Sequence, residues 1–288
     1  MNKKLEEELI EKVKKDPFYL KLVDEQTEDI CLAAVNGTGL ALEYVKDQNE
    51  RICLAAVKNF GNALKFAKCQ TEEICLEAVK KNGLSLSYVK NQTEKICLAA
   101  VKNYGYTIRY VENQTEEMCL EAIKFNGNTI RYVKNQTEEL CLEAIKEDGS
   151  ALEYVRNQTE RICLAAVNHG GYALKYVKNQ TERICLAAVR KDATTLQYVK
   201  HKTDKIYKEA LNKNFDDCIY SIEIKQKSTA LIVLEASLRN QKHKIILTDI
   251  LNKFNDEEII NFYTKHKLWK YVDFTKLDNK LTQYGMIL

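Results

Sequence analysis

Twenty-two residues, Thr93 to Gln114 (TEKICLAAVKNYGYTIRYVENQ), set the plan of this chain, because the same phrase runs eight times without insertion or deletion from Thr27 to Lys202. Self-similarity at a fixed period of this length marks stacked repeats, in which each unit buries its apolar side only against its neighbours. Each unit opens on Thr-Glu, with Asn49 replacing Thr once. Thr or Asn there is a helix N-cap, and the Glu behind it suits the positive end of the helix dipole. Ile-Cys-Leu-x-Ala-Val follows, and Gly closes the turn at 39, 61, 83, 105, 127, 149 and 171, with Ala193 in the last unit. A glycine there can take the left-handed backbone that ends a helix.

At 100° per residue, Ile96, Cys97, Leu98, Ala100 and Val101 cover an apolar arc of about 200°, with the cysteine near its middle. Lys95, Ala99 and Lys102 fall on the other arc, and these positions vary between copies while the apolar ones hardly change. Comparing copies within one chain thus separates core from surface. The second half of each unit, Tyr106 to Glu112 here, is shorter. Ile108 and Val111 lie three apart, which reads as one and a half to two turns of helix, partly 3₁₀, with a strand as the alternative because Tyr, Ile and Val also suit sheets. Helices this short are marginal alone in water, so stacking must hold them.

The expected fold is therefore all-α: an α-solenoid of stacked 22-residue helix–turn–short-helix repeats with a helical C-terminal cap. Residues 1–26 read as a degenerate N-terminal capping repeat, 27–202 as eight regular repeats, 203–221 as a degenerate ninth, and 222–288 as a helical cap or small domain. In the last segment 229–238 is ambiguous between helix and strand. Ile245, Ile246, Ile250, Leu251 and Phe254 mark one amphipathic helix, and Ile259, Phe262 and Tyr263 another.

Several function classes drop out on composition. No apolar run approaches a membrane span, and MNKKLEEELIEKVKK has no apolar signal region, so a cytoplasmic protein without a membrane partner is expected. A net charge of +3 is too small to imply nucleic acid by itself. Eight of the ten cysteines recur every 22 residues, at 31, 53, 75, 97, 119, 141, 163 and 185. Packed helices lie about 8–10 Å apart, beyond the roughly 7 Å that a disulfide spans between Cα atoms. No short ligand spacing or histidine accompanies them, so they read as buried hydrophobes in a reducing compartment rather than as a metal site. Cys69 replaces a turn Asn and is expected exposed; Cys218 is expected buried. No phosphate loop, metal cluster or matched acid and nucleophile is present, so the expectation is no enzyme, no cofactor and no small-molecule substrate.

What remains is surface. The copies differ most in the inter-helix turn and just after it, which singles out Phe60, Tyr104, Tyr106, Asn126, Asp148 and Tyr172 as a candidate protein-interaction surface. The alternative is a nucleic-acid track. An aromatic ladder (Tyr44, Phe66, Tyr88, Tyr110, Tyr132, Tyr154, Tyr176, Tyr198) has a basic row beside it (Lys46, Lys68, Lys90, Lys134, Arg156, Lys178, Lys200), broken by Glu112. Within it Tyr88, Lys90, Tyr132, Lys134, Tyr154, Arg156, Tyr176 and Lys178 are the candidate stacking and phosphate-binding residues. The bland reading of the same residues is packing and helix-end charge complementation. Alternating Arg51, Glu73, Lys95 and Glu117 would help set register between units, each pair contributing about 0–1 kcal/mol.

The phrase Cys-Leu-x-Ala-Val-x-x-x-Gly-x-x-Leu-x-Tyr-Val at residues 75–89 resembles a helical repeat family of undescribed function, found largely in giant DNA viruses and amoeba-associated bacteria. The likeness covers roughly residues 27–202. It implies an all-helical repeat module with host- or virus-factory-facing use, in the host cytoplasm if viral, and it supplies no catalytic residue.

Overall fold

The computed structural model describes residues 2–219, 222, 224, 226–240, 250, 253 and 257–271. They fall into two compact units, Met1–Asn157 and Gln158–Leu288. In the first unit, helix α1 (Lys3–Lys15) and a 3₁₀ helix (Pro17–Leu22) precede six copies of one pattern. The α-helices are α2 (Glu28–Gly37), α3 (Glu50–Asn59), α4 (Glu72–Lys81), α5 (Glu94–Asn103), α6 (Glu116–Phe125) and α7 (Glu138–Glu147). Each is followed by six residues of 3₁₀ helix, as in Gly105–Tyr110 and Gly127–Tyr132. α-Helix packs on the next α-helix and 3₁₀ helix on the next 3₁₀ helix, which gives two layers. Among the described residues there is no strand, so the sheet alternative for the second half fails.

The caps explain the local boundaries. Thr93 Oγ1 accepts from the Ile96 N–H at 3.4 Å, and Thr27, Thr71, Thr115 and Thr137 do the same. The threonine hydroxyl also donates backwards, from Thr71 to Glu50 at 2.9 Å and from Thr93 to Glu72 at 3.5 Å. The Thr-Glu pair therefore ties consecutive units together, beyond any dipole effect.

The larger tie is a ladder of glutamines. Gln114 Nε2 donates to the Ile108 carbonyl in its own unit (3.0 Å) and to the Tyr132 carbonyl in the next (2.9 Å). Its Oε1 accepts from the Lys134 N–H at 2.8 Å and from the Cys119 thiol at 3.9 Å. Gln26, Gln48 and Gln136 bridge units in the same way. One side chain thus meets the loose backbone groups at the end of two successive 3₁₀ helices.

Two expectations need correcting. No described glycine has a positive φ. The helix ends instead on the residue before the glycine, which is extended, as at Tyr104 with φ −151°. Glycine is required because the next unit comes too close. A Cβ on Gly39 would lie 2.4 Å from the Ala56 carbonyl oxygen, and one on Gly83 2.7 Å from that of Ala100. The alternating charges also do not pair as their order suggests. Arg51 reaches Glu28, one residue off its direct equivalent, at 3.4 Å, and Glu117 pairs with Lys102 at 3.3 Å. Residues at equivalent positions are held a full helix spacing apart, while diagonal neighbours fall within reach.

All eight ladder cysteines are buried, at 0–4% exposure, and all ten are free thiols. Cys69 is half-buried rather than exposed, and Cys218 is fully buried. Burial pushes the ladder thiols up, to about 11 at Cys31, Cys97 and Cys141. An unfolded thiol ionises at roughly 8.5. Between there and about 11 the unfolded chain releases protons that the folded chain keeps, so stability is whole below that window and falls as pH rises through it. Two outcomes follow. Iodoacetamide should modify Cys69 first in the native protein and the ladder only on unfolding, and the thermal midpoint should drop steadily above pH 8.5. Prompt native-state alkylation of the ladder would show that its face is open to solvent.

The second unit holds two further copies, α8 (Glu160–His169) and α9 (Glu182–Lys191), each with its 3₁₀ helix. Gln158 and Gln180 bridge there as well, to the Tyr176 and Tyr198 carbonyls at 3.0 and 2.9 Å. α10 (Asp204–Lys213) is followed by a short α-helix, α11 (Phe215–Ile219), in place of the 3₁₀ turn. The ambiguous apolar stretch is helical, within α12 (Lys227–Arg239), which packs on α10. The helix expected around Ile245–Phe254 lies mostly outside the described residues, though Ile250 is helical and buried. Glu257–Lys265 forms α13, which buries Ile259 and Tyr263.

Candidate functional site

The turn between the two layers is where the copies diverge. Its residue before the glycine is extended, and where it is Asn or Asp it caps the 3₁₀ helix. Asn126 Oδ1 accepts from the Asn128 N–H and Asp148 Oδ1 from the Ser150 N–H, both at 2.8 Å. Asp148 also accepts from Asn128 Nδ2 at 2.9 Å. These two candidates hold the turn together rather than projecting from it.

Where the turn residue is aromatic, no cap forms and the ring goes outward. Tyr104 stands 5.5 Å from Tyr106 and 5.3 Å from Phe125, measured between ring centroids. Tyr106 lies 6.0 Å from Phe125 and 6.3 Å from Tyr132. The contacts are edge-on or tilted, the arrangement the ring quadrupoles favour. Tyr104 is 36% exposed and Phe125 50% exposed, so four rings from two successive repeats make one surface cluster. Its neighbours are cationic. The Arg109 guanidinium carbon sits 4.6 Å from the Tyr110 ring centre, and that of Arg131 lies 5.2 Å from Tyr132 and 4.7 Å from Tyr154.

The other candidates lie apart from this cluster. Phe60 is exposed, its Cβ set against Gly39. Tyr172, in the second unit, is 50% exposed with its ring 5.9 Å from Tyr198, beside a groove of about 390 Å³ that Gly170 leaves open. Phe125 escapes a search limited to the turn, because it sits one residue earlier, where the other copies carry Gly37, Asn59, Lys81, Asn103, Glu147, His169 and Lys191. A ring among those small and polar residues is the signal that finds it. Its Cβ lies over Gly105, 2.5 Å from where a glycine Cβ would be.

The basic row has a different task from the one a phosphate track needs. Lys68 Nζ donates to the Lys46 carbonyl (2.9 Å), Lys134 Nζ to the Glu112 carbonyl (2.6 Å), and Lys200 Nζ to the Lys178 carbonyl (3.1 Å). Arg156 reaches both the Lys134 and Val133 carbonyls, at 2.8 and 2.7 Å. Each cation therefore clamps the chain of the preceding unit. Of the ladder rings beside them, Tyr88 is 36% exposed, while Tyr132, Tyr154 and Tyr176 are half-buried, the last with Lys175 Nζ 4.6 Å from its centre. Lys90 is exposed and makes no such clamp. Glu112 cannot donate, so the Lys90 carbonyl goes without one. Glu112→Lys should supply it and stabilise the protein by about 0.5–1 kcal/mol, read as a higher urea midpoint; an unchanged or lower midpoint would deny the clamp a stabilising role.

Among the described residues no group of three or more His, Cys, Asp or Glu side chains is placed to hold a metal ion. No described helix is long and apolar enough to cross a membrane. No curated protein and no solved structure matches the chain. Residues 49–94, 115–160 and 137–181 match the model described as Domain of unknown function (DUF4116), so these stretches of the chain are similar to a repeat domain whose function is undescribed.

Proposed function

We propose that the chain is a non-catalytic protein-interaction scaffold, and the observation that carries this reading is the exposed ring cluster of Tyr104, Tyr106, Phe125 and Tyr132. Tyr and Arg are the residues most enriched at interface hot spots, because a large rigid body with a polar tip is buried at low entropic cost. Here both types are gathered in one place on the stack, whereas the exposed rings of Phe60 and Tyr172 stand in other repeats. The partner is a protein, in a reducing cytoplasmic setting that suits ten free thiols. No cofactor, small-molecule substrate or membrane enters this reading.

The nucleic-acid reading fares worse on two counts. Lys46, Lys68, Lys134, Arg156 and Lys200 of the basic row are engaged on backbone carbonyls, and residues 93–158, which contain the cluster, carry eleven carboxylates against eight lysines and arginines. A polyanion would meet net repulsion there. The test is affinity capture on immobilised full chain, quantified by mass spectrometry after nuclease treatment, with a Tyr104→Ser/Tyr106→Ser/Phe125→Ser variant alongside. Specific partners held by the parent and lost by the variant are expected. A partner set that the variant retains unchanged, or that nuclease removes, overturns the proposal.

A further inference from the structure

Resting on the scaffold reading, we infer that the cluster binds an extended peptide segment of a partner protein in which an apolar or aromatic anchor is followed by carboxylates about three residues apart. The anchor part follows from the rings. Tyr104 and Phe125 form the most exposed edge, with Tyr106 and Tyr132 behind them as a floor. An inserted side chain there would be covered on several sides by aromatic surface.

The carboxylate part follows from charge. The lysines at the ends of the α-helices next to the cluster are already neutralised: Lys102 by Glu117 (3.3 Å), Lys124 by Glu121 (3.2 Å) and Lys146 by Glu143 (3.0 Å). Arg109 and Arg131 are exposed, and neither has an ion pair among the described residues. Arg109 Nη2 donates to the Tyr110 hydroxyl at 2.7 Å, and Arg131 lies between the rings of Tyr132 and Tyr154. A guanidinium laid on an aromatic face keeps in-plane N–H groups free, and that fork matches a carboxylate with two parallel bonds. The stacking also fixes the side chain in advance, so little rotamer freedom is lost on binding.

The two arginines occupy equivalent positions in successive repeats, about 8–10 Å apart for packed helices. An extended chain advances about 3.3 Å per residue, which sets the carboxylate spacing. The next equivalent position is Glu153, and it ends the cationic edge. The segment is thereby placed on the side of Arg109 and Arg131, with its anchor at Phe125. The net acidity of residues 93–158 tolerates two paired carboxylates and disfavours a continuous run of phosphates.

Fluorescence anisotropy with labelled synthetic peptides tests this on the full chain. Three peptides of equal length share a Phe-Leu anchor followed at matched positions by a pair of Asp, Lys or Ser residues. The Asp peptide should bind roughly tenfold more tightly than the Lys peptide. The double variant Arg109→Glu/Arg131→Glu should reverse that order, and Phe125→Ser should weaken all three. Equal binding of the three peptides, abolished by Phe125→Ser, overturns the acidic partner and leaves the scaffold reading standing. Absence of saturable binding by any peptide, or an order that survives the charge reversal, also overturns the inference. A labelled oligothymidylate that binds the parent and loses affinity in the Arg109→Glu/Arg131→Glu variant overturns both readings.

Discussion

Replacing Gln114 with Ala should destabilise the protein by about 3 kcal/mol, although the residue lies in a turn and is only half-buried. The amide has two N–H donors and two acceptor lone pairs, and all four are used across the joint between two repeats. Its removal leaves the Tyr132 carbonyl and the Lys134 N–H without their partner, and takes from the Ile108 carbonyl one of its two donors, the Val111 N–H remaining. Each orphaned group costs about 1–3 kcal/mol when water cannot replace the bond fully. Gln114→Glu should be at least as damaging, since it turns an acceptor toward two carbonyl oxygens. Asn113, its exposed neighbour, makes no such bridge, and Asn113→Ala should change little. Urea unfolding followed by circular dichroism reads the comparison. A Gln114→Ala midpoint equal to that of Asn113→Ala would mean that solvent satisfies the joint and that the glutamine ladder contributes nothing.

That glutamine also marks how far the sequence could be read. The Thr cap, the Ile-Cys-x-x-Ala-Val face and the period were all legible, because a helix turns a buried stripe into a spacing. The roles of Gln114 and its equivalents were not, because a side chain that bridges repeats leaves no periodic trace within one. Yet a trace existed between copies. Gln recurs at 26, 48, 70, 92, 114, 136, 158 and 180, while the Asn before it gives way to Glu25, Asp47 and Cys69. Strictness at a polar turn position signalled a bond that only this amide can make. The basic row was legible as helix-end lysines but not as clamps, since nothing in Lys134 itself says that its ammonium reaches back to Glu112.

The candidate site was legible in half. Tyr104 and Tyr106 stood out as departures from the repeat, and they do meet. Asn126 and Asp148 departed equally but are capping residues, which short polar side chains before a 3₁₀ turn ordinarily are. Phe125 and Arg131 come from different elements of the same repeat. Their union with Tyr104 and Tyr154 depends on how adjacent units stack, a relation that one unit's sequence does not contain.

The glycines give the second large effect, and they separate two explanations of the same residue. If Gly127 served a left-handed turn, its φ would be positive, and no described glycine has one. Ala can adopt the conformation, and by chain entropy alone Gly→Ala at a compatible site stabilises by about 0.4–1 kcal/mol. The contact decides otherwise. A Cβ at 127 would sit 2.4 Å from the Ala144 carbonyl oxygen and 3.2 Å from the Asp148 nitrogen. Both are backbone atoms of the next repeat, and neither can swing aside without moving α7. Gly127→Ala should therefore separate the two units locally and cost about 3 kcal/mol, at the upper end of overpacking effects. Gly170 is the control, since nothing lies within 4 Å of a Cβ there and its φ of −154° suits any residue. Gly170→Ala should be neutral or slightly stabilising, by at most about 1 kcal/mol. Within the eight regular repeats a Cβ stands at the equivalent of Gly127 only at Ala193, where the next unit is the irregular pair α10 and α11. Equal losses at 127 and 170 in the same urea titration would show that flexibility, not close approach, is what these glycines provide.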